Sequence, residues 1–229
     1  MKILSAASLL FLSKEGVQSL DVGKENEREL FSRVIGGTDA VAGQFPWFAR
    51  GVKTSGQWAG CGGALVAEEW VLSAAHCSWA VPGSFQIGAL STPYSPGSNS
   101  GQDVEQISMD KVFDHPDYNG ETLDFDFSLI RLSDLATIAP VVMDETGIVD
   151  NYLGGELLQP IGFGQTGYGY ETHLQWVDVP FVNNDACNTL YSGRITSSMM
   201  CAGDTDNGGI GKCHSSSYYY YYYYQHVYK

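Results

Sequence analysis

A chain of 229 residues with 44% hydrophobic side chains is long enough for one large all-β domain or two small lobes around a real core, which excludes general disorder. Its 12 basic and 26 acidic side chains give a formal charge of −14, so a phosphate backbone is repelled and nucleic acid is excluded as a partner.

The chain opens with Lys2 followed by an apolar stretch over residues 3–12, too short to span a bilayer and of the right length for a secretory signal. Val17 and Ser19 offer a cleavage site, so residues 1–19 are predicted as a signal peptide and the protein as secreted; the competing reading is a buried N-terminal segment. Residues 20–33 are polar and dense in charge, as in a solvated linker or propeptide. No other segment has the length and apolarity of a membrane helix, so no membrane partner is predicted.

From Val34 onward, runs rich in β-branched and aromatic residues at 63–66, 70–72, 85–87, 127–132 and 176–182 alternate with clusters of Gly, Pro, Ser and Asn. No period of 3.6 is sustained, and the spacing predicts antiparallel strands in a sandwich or barrel. Residues 91–101 form a polar surface loop, and residues 140–155, with weak strand signals, link two lobes. Five cysteines leave one over: Cys61 lies near Cys77 and Cys187 near Cys201, with Cys213 unmatched, although spacing alone leaves connectivity open.

Two segments carry chemistry. Leu72, Ser73, Ala74, Ala75, His76 and Cys77 set a histidine among small residues beside a cysteine, the surroundings that hold a general base still. The segment 124–132 offers two carboxylates, Asp124 and Asp126, among apolar strand residues; a buried carboxylate there must accept hydrogen bonds, and orienting a histidine is one way it does so. An exposed aspartate at a strand edge is the competing reading. His115 belongs to a loop, and His173 and His226 have no flanking ligand pattern, so neither a metal nor a cofactor is predicted.

Taken together, these residues resemble the chymotrypsin and trypsin family of serine endopeptidases, over residue 33 to about residue 213. Arg33, Val34, Ile35, Gly36 and Gly37 resemble its activation junction, and Gln44, Phe45, Pro46 and Trp47 follow in order. Cys61, Gly62, Gly63, Ala64 and Leu65 lead to the His76 segment, which the resemblance makes the general base, and Asp126 takes the position of the aspartate that orients it. His115, Pro116 and Tyr118 fit a surface loop of the family, Gly162, Phe163 and Gly164 a turn of the second lobe, and Cys187 to Cys201 the loop closed by a second-lobe disulfide; Met200, Cys201, Ala202 and Gly203 continue the match. The implied fold is two antiparallel Greek-key barrels, over residues 34–138 and 139–213, the second incomplete. Protein or peptide substrates and an activating protease cleaving after Arg33 are the implied partners.

The pattern breaks after Cys213. Where the family has Gly, Asp, Ser, Gly, Gly, Pro, this chain has Ser215, Ser216, Ser217, Tyr218, Tyr219 and Tyr220. Ser217 falls in the nucleophile's place, but the glycines that permit the oxyanion turn are gone, and Ser216 stands where an aspartate would meet the freed Val34 amine. Gly211 occupies the specificity position in which trypsin-like members carry an aspartate, which implies an apolar or broad preference. Ala89 stands where a calcium ligand is expected, and only Glu105 is a candidate for that loop. Residues 214–229, with seven tyrosines at 218–224, read as low-complexity sequence from a shifted reading frame or wrong exon boundary. Three readings follow: a secreted zymogen of a serine endopeptidase, impaired as written; a homologue without catalysis that binds or regulates; and a fragment with no stable fold.

Overall fold

The structure is a computed structural model that describes residues 37–80, 83–91, 103–143, 152–163, 165–166, 169–170 and 172–203. The signal and propeptide segments, Arg33, Val34, Gly211, Cys213, Ser217, His226 and the tyrosine run lie outside the described residues.

The strands in chain order are β1 (Thr38–Asp39), β2 (Phe48–Val52), β3 (Trp58–Ala67), β4 (Trp70–Ser73), β5 (Ser84–Ile87), β6 (Glu105–Asp114) and β7 (Ser128–Leu132). After them come β8 (Leu157–Leu158), β9 (Ile161–Gly162), β10 (Gln165–Thr166), β11 (Gly169–Tyr170), β12 (Gln175–Trp176), β13 (Val179–Val182) and β14 (Cys201–Ala202). A 3-10 turn over Ala75–Ala80 follows β4, and helix α1 (Asn184–Leu190) follows β13. The all-β expectation holds.

Strands β2 to β7 close an antiparallel barrel in the spatial order β2-β3-β4-β7-β6-β5. In the chain β4 leads to β5, but in space it pairs with β7, while β5 returns to pair with β2. Ala49, Ala64, Leu65, Val71, Phe85, Ile87 and Ile130 fill the buried core. Gly63 is required by packing: a Cβ there would lie 2.4 Å from the Leu72 carbonyl oxygen and 2.6 Å from Val71 Cγ1. The glycine lets β4 approach β3 closely, and β4 leads directly into the turn that carries His76.

All five residues of β2 are buried, because both its faces are covered. Phe48 and Arg50, on one face, meet Phe163 of the C-terminal half, with the guanidinium 5.7 Å from that ring's centroid. Arg50 also donates to Gln86 Oε1 at 2.7 Å, and burial pushes its pKa down.

Among the described residues the C-terminal half folds around three small sheets, one of them the β10–β11 pair. β1 pairs with β12, which pairs with β9, so the N-terminal segment is joined to the later part of the chain. β13 lies between β8 and β14, and Leu158, Val177, Val179 and Phe181 form a second core cluster. The single strand expected over residues 176–182 is two, since β12 pairs with β9 and β13 with β8, and the chain changes sheets at Val177 and Asp178. β1, β2, β6, β8 to β11, β14 and α1 lie outside the runs named from the sequence. Asn183 caps α1, its side-chain oxygen accepting from Ala186 N at 2.9 Å.

Candidate active site

His76 sits in the 3-10 turn that follows β4, and its position is fixed on three sides. Ala74 and Ala75 beside it are buried. The Ser128 hydroxyl donates to the Ala74 carbonyl at 3.2 Å, and the Ser73 hydroxyl to the Gly62 carbonyl at 2.8 Å. Cys77 is bonded to Cys61, which ties the turn back to β3. Small side chains and a disulfide thus hold the imidazole's backbone from within the barrel.

Asp126 comes from the loop before β7. Its Oδ1 accepts from the His76 backbone N–H at 2.8 Å, and its Oδ2 lies 2.6 Å from His76 Nδ1. The two side chains are 11% and 15% exposed, so the bond is shielded from water. An ionised carboxylate can only accept, so the Nδ1 partner must carry the proton, and in the neutral imidazole Nε2 then presents its lone pair. Nε2 lies 3.3 Å from Cys77 Sγ.

Asp124, two residues upstream, has different partners: its Oδ1 accepts from the Thr196 hydroxyl at 2.6 Å and from the Ser198 hydroxyl. The Ser198 hydroxyl, then Thr196, hold its carboxyl below the usual carboxylate range. Between the two aspartates Phe125 has φ +52°, and before them Leu123 has φ +61°, left-handed values that cost a side chain other than glycine about 1–3 kcal/mol. His115 stacks on Phe125 with centroids 4.7 Å apart and meets Phe127 edge-on at 4.6 Å. Its Nδ1 accepts from the Asp117 N–H at 3.2 Å, a loop role.

The predicted pairs Cys61–Cys77 and Cys187–Cys201 are both formed. Cys61, His76 and Cys77 bring three potential metal-ligand atoms within 4.8 Å of one another, but the two sulfurs are spent in a disulfide and offer no thiolate. The Glu105 carboxylate is engaged with Thr137 N, Thr137 Oγ1 and Ile138 N, which makes it a clasp on the chain leaving the barrel. His173 pairs with Ser91 in an isolated bridge. Among the described residues no helix is long and apolar enough to cross a membrane. Sequence reasoning missed Thr196 and Ser198, because nothing local marks a hydroxyl that bonds a carboxylate 72 or 74 residues earlier.

A family model described as Trypsin matches residues 34–217. The chain belongs to the trypsin family. Trypsin I-P1 and Trypsin I-P38 of Gallus gallus are each 32% identical to it over 188 residues, covering 81% of this chain and 72% of each relative. Trypsin of Xenopus laevis is 31% identical over 188 residues, 81% of this chain and 73% of that relative. Serine endopeptidase is therefore its class by family. The trypsin-family match runs past Cys213 as far as Ser217.

Proposed function

We propose that this chain is a secreted serine endopeptidase made as a zymogen, with a signal at 1–19, a propeptide at 20–33, and lobes at 34–138 and 139–213. One observation carries the catalytic part: Asp126 bonds both the backbone and the Nδ1 of His76, leaving Nε2 as the acceptor. A serine hydroxyl, assigned to Ser217, gives its proton to Nε2 as the oxygen attacks a peptide carbonyl. His76 then passes that proton to the departing amine, the C–N bond breaks, and water releases the acyl group by the same exchange. Asp126 remains ionised and stabilises the imidazolium. Cleavage after Arg33 frees the Val34 amine, and Gly211 at the pocket floor favours apolar or broad substrates.

A second reading is favoured by the residues around Ser217. Oxyanion stabilisation needs backbone N–H groups in a tight turn, and losing one such donor costs about 10²–10³-fold in rate. Here Ser215 precedes and Tyr218 to Tyr220 follow, with Ser216 in place of the carboxylate that would receive the Val34 amine. The chain as written is accordingly an impaired enzyme, and with no residual turnover it acts as a binding or regulatory homologue. A fluorophosphonate probe decides between the two. Labelling that maps to Ser217 and disappears in His76→Ala is the expected result for the enzyme; a folded, monodisperse protein that takes no label replaces it with the homologue.

A further inference from the structure

Resting on the reading of His76 and Asp126 as base and orienting acid, we propose that Asp124, Thr196 and Ser198 form a clamp between the two halves of the molecule that positions the Asp126 carboxylate. Asp124 is then a positioning residue, acting two residues away through the backbone.

The stretch 123–125 does not hold its shape by local preference, since Leu123 and Phe125 both sit in the left-handed region with side chains that disfavour it. Backbone bonds within the loop hold part of it, Leu123 N–H to the Asn119 carbonyl at 2.7 Å and Asn119 N–H to the Asp124 carbonyl at 3.0 Å, and contacts from the C-terminal half add to them. The Phe125 N–H donates to Asp124 Oδ1 and to Ser198 Oγ, both at 3.1 Å, and the Asp124 carboxylate collects the Thr196 and Ser198 hydroxyls. The next residue makes both bonds to His76. A continuous path of hydrogen bonds and one peptide therefore runs from the C-terminal half through Asp124 and Phe125 to Asp126 and the imidazole.

The far end of the clamp is itself held in place. Asn184 Nδ2, on α1, donates to the Thr196 carbonyl at 3.1 Å and the Met199 carbonyl at 2.9 Å. The Ile195 N–H donates to Asn188 Oδ1 at 2.9 Å, and the Cys187–Cys201 bridge closes the loop. Two hydroxyls and one amide converging on a carboxylate favour its ionised form, which is why the pKa of Asp124 is held down. A neutral side chain would not gather the same three donors as strongly.

The test is proton NMR of the full chain at low field, where the Nδ1–H shared by His76 and Asp126 resonates, run alongside the fluorophosphonate labelling rate for Asp124→Ala, Asp124→Asn and Ser198→Ala. In Asp124→Ala and Ser198→Ala, with circular dichroism confirming the fold, the signal is expected to move upfield and broaden while labelling slows about ten- to a hundredfold. Asp124→Asn keeps an oxygen acceptor and recovers part of both. An unchanged Nδ1–H signal in folded Asp124→Ala overturns the clamp. If that variant does not fold, Ser198→Ala, which leaves the carboxylate bonded to Thr196, decides by the same signal. A native chain that takes no label defeats the protease reading alone, because the proton signal still decides the clamp.

Discussion

The barrel and the C-terminal half hold their parts of the site by different means. Barrel strands run from four to ten residues and close a ring; the His76 turn follows β4 and is tied to β3 by the Cys61–Cys77 bridge, and Asp126 bonds the His76 backbone and ring. Among the described residues the C-terminal strands are two to four residues long, and the stretch bearing Thr196 and Ser198 depends on asparagine side chains and a disulfide. A closed sheet spreads the load over many backbone bonds, whereas a loop rests on a few side chains. The backbone that carries the base should therefore keep its place under small perturbations that readily shift the clamp and, through it, the Asp126 carboxylate.

The largest expected effect breaks the chemistry and spares the scaffold. If the chain turns over substrate, His76→Ala should lower kcat by about 10⁶, as removing the base of such a unit does elsewhere. Stability should fall by only about 1–3 kcal/mol, the cost of leaving a carboxylate short of one donor. Labelling rate and urea midpoint, measured on the same preparation, check both. A rate within tenfold of the native value would mean that the base is not in the barrel at all.

Next are the two bridges, one in each region. Each closes a loop of similar length, with separations of 16 and 14 residues, so replacing either pair by alanine should cost about 3 kcal/mol in a urea titration. Their effects on the site should differ. Loss of Cys61–Cys77 frees the turn that bears His76 directly. Loss of Cys187–Cys201 reaches the imidazole only through Thr196 and Ser198, so its low-field proton should change less. Equal changes would erase the distinction between the regions.

The same contrast explains what can be seen in the sequence. The runs at 70–72 and 85–87 fall inside β4 and β5, because Val71, Phe85 and Ile87 are buried in the barrel core and are residue types that favour strands. β6 gives no such signal: Asp110, Lys111 and Asp114 interrupt Ile107, Met109 and Val112, and a register shift between Met109 and Lys111 breaks the two-residue period. α1 is too short, at seven residues, for a helical period to emerge, and only Asn183 followed by Asp185 hints at its start. In the site, His76 stands out because its neighbours Ala74, Ala75 and Cys77 are the residues that immobilise it. Asp124 and Asp126 look alike in sequence. Their division of labour depends on Thr196 and Ser198, which only the fold brings near.

A smaller change sharpens the comparison inside the barrel. Gly63→Ala places a Cβ against the Leu72 carbonyl, a backbone atom that cannot rotate away. The strain should cost about 1–3 kcal/mol, read from the urea midpoint. Because β4 carries the chain into the His76 turn, labelling should slow as well; a neutral outcome would show that β3 and β4 can separate without cost.

Acid supplies the mildest perturbation, and it should act on the C-terminal contacts. Asp124 is held below its ordinary value of 3.8, chiefly by the Ser198 hydroxyl. Glu156 is held below 4.5 by its own backbone N–H first, then by those of Leu153 and Gly154. A carboxyl with a depressed pKa in the folded state binds fewer protons than it does unfolded, so stability falls as pH falls. Its contribution is whole above the ordinary values and is lost as the pH drops through the depressed ones, below about 4. Thermal melts at about pH 6, 4 and 3 should therefore show a decline that is shallower in Asp124→Asn and Glu156→Gln, since neither replacement side chain titrates. Both variants should also start from a lower melting temperature at pH 6, where the native carboxylates are ionised and fully bonded. An unaltered slope in both would place the acid sensitivity elsewhere, and with it the notion that a few side-chain bonds hold the C-terminal half in place.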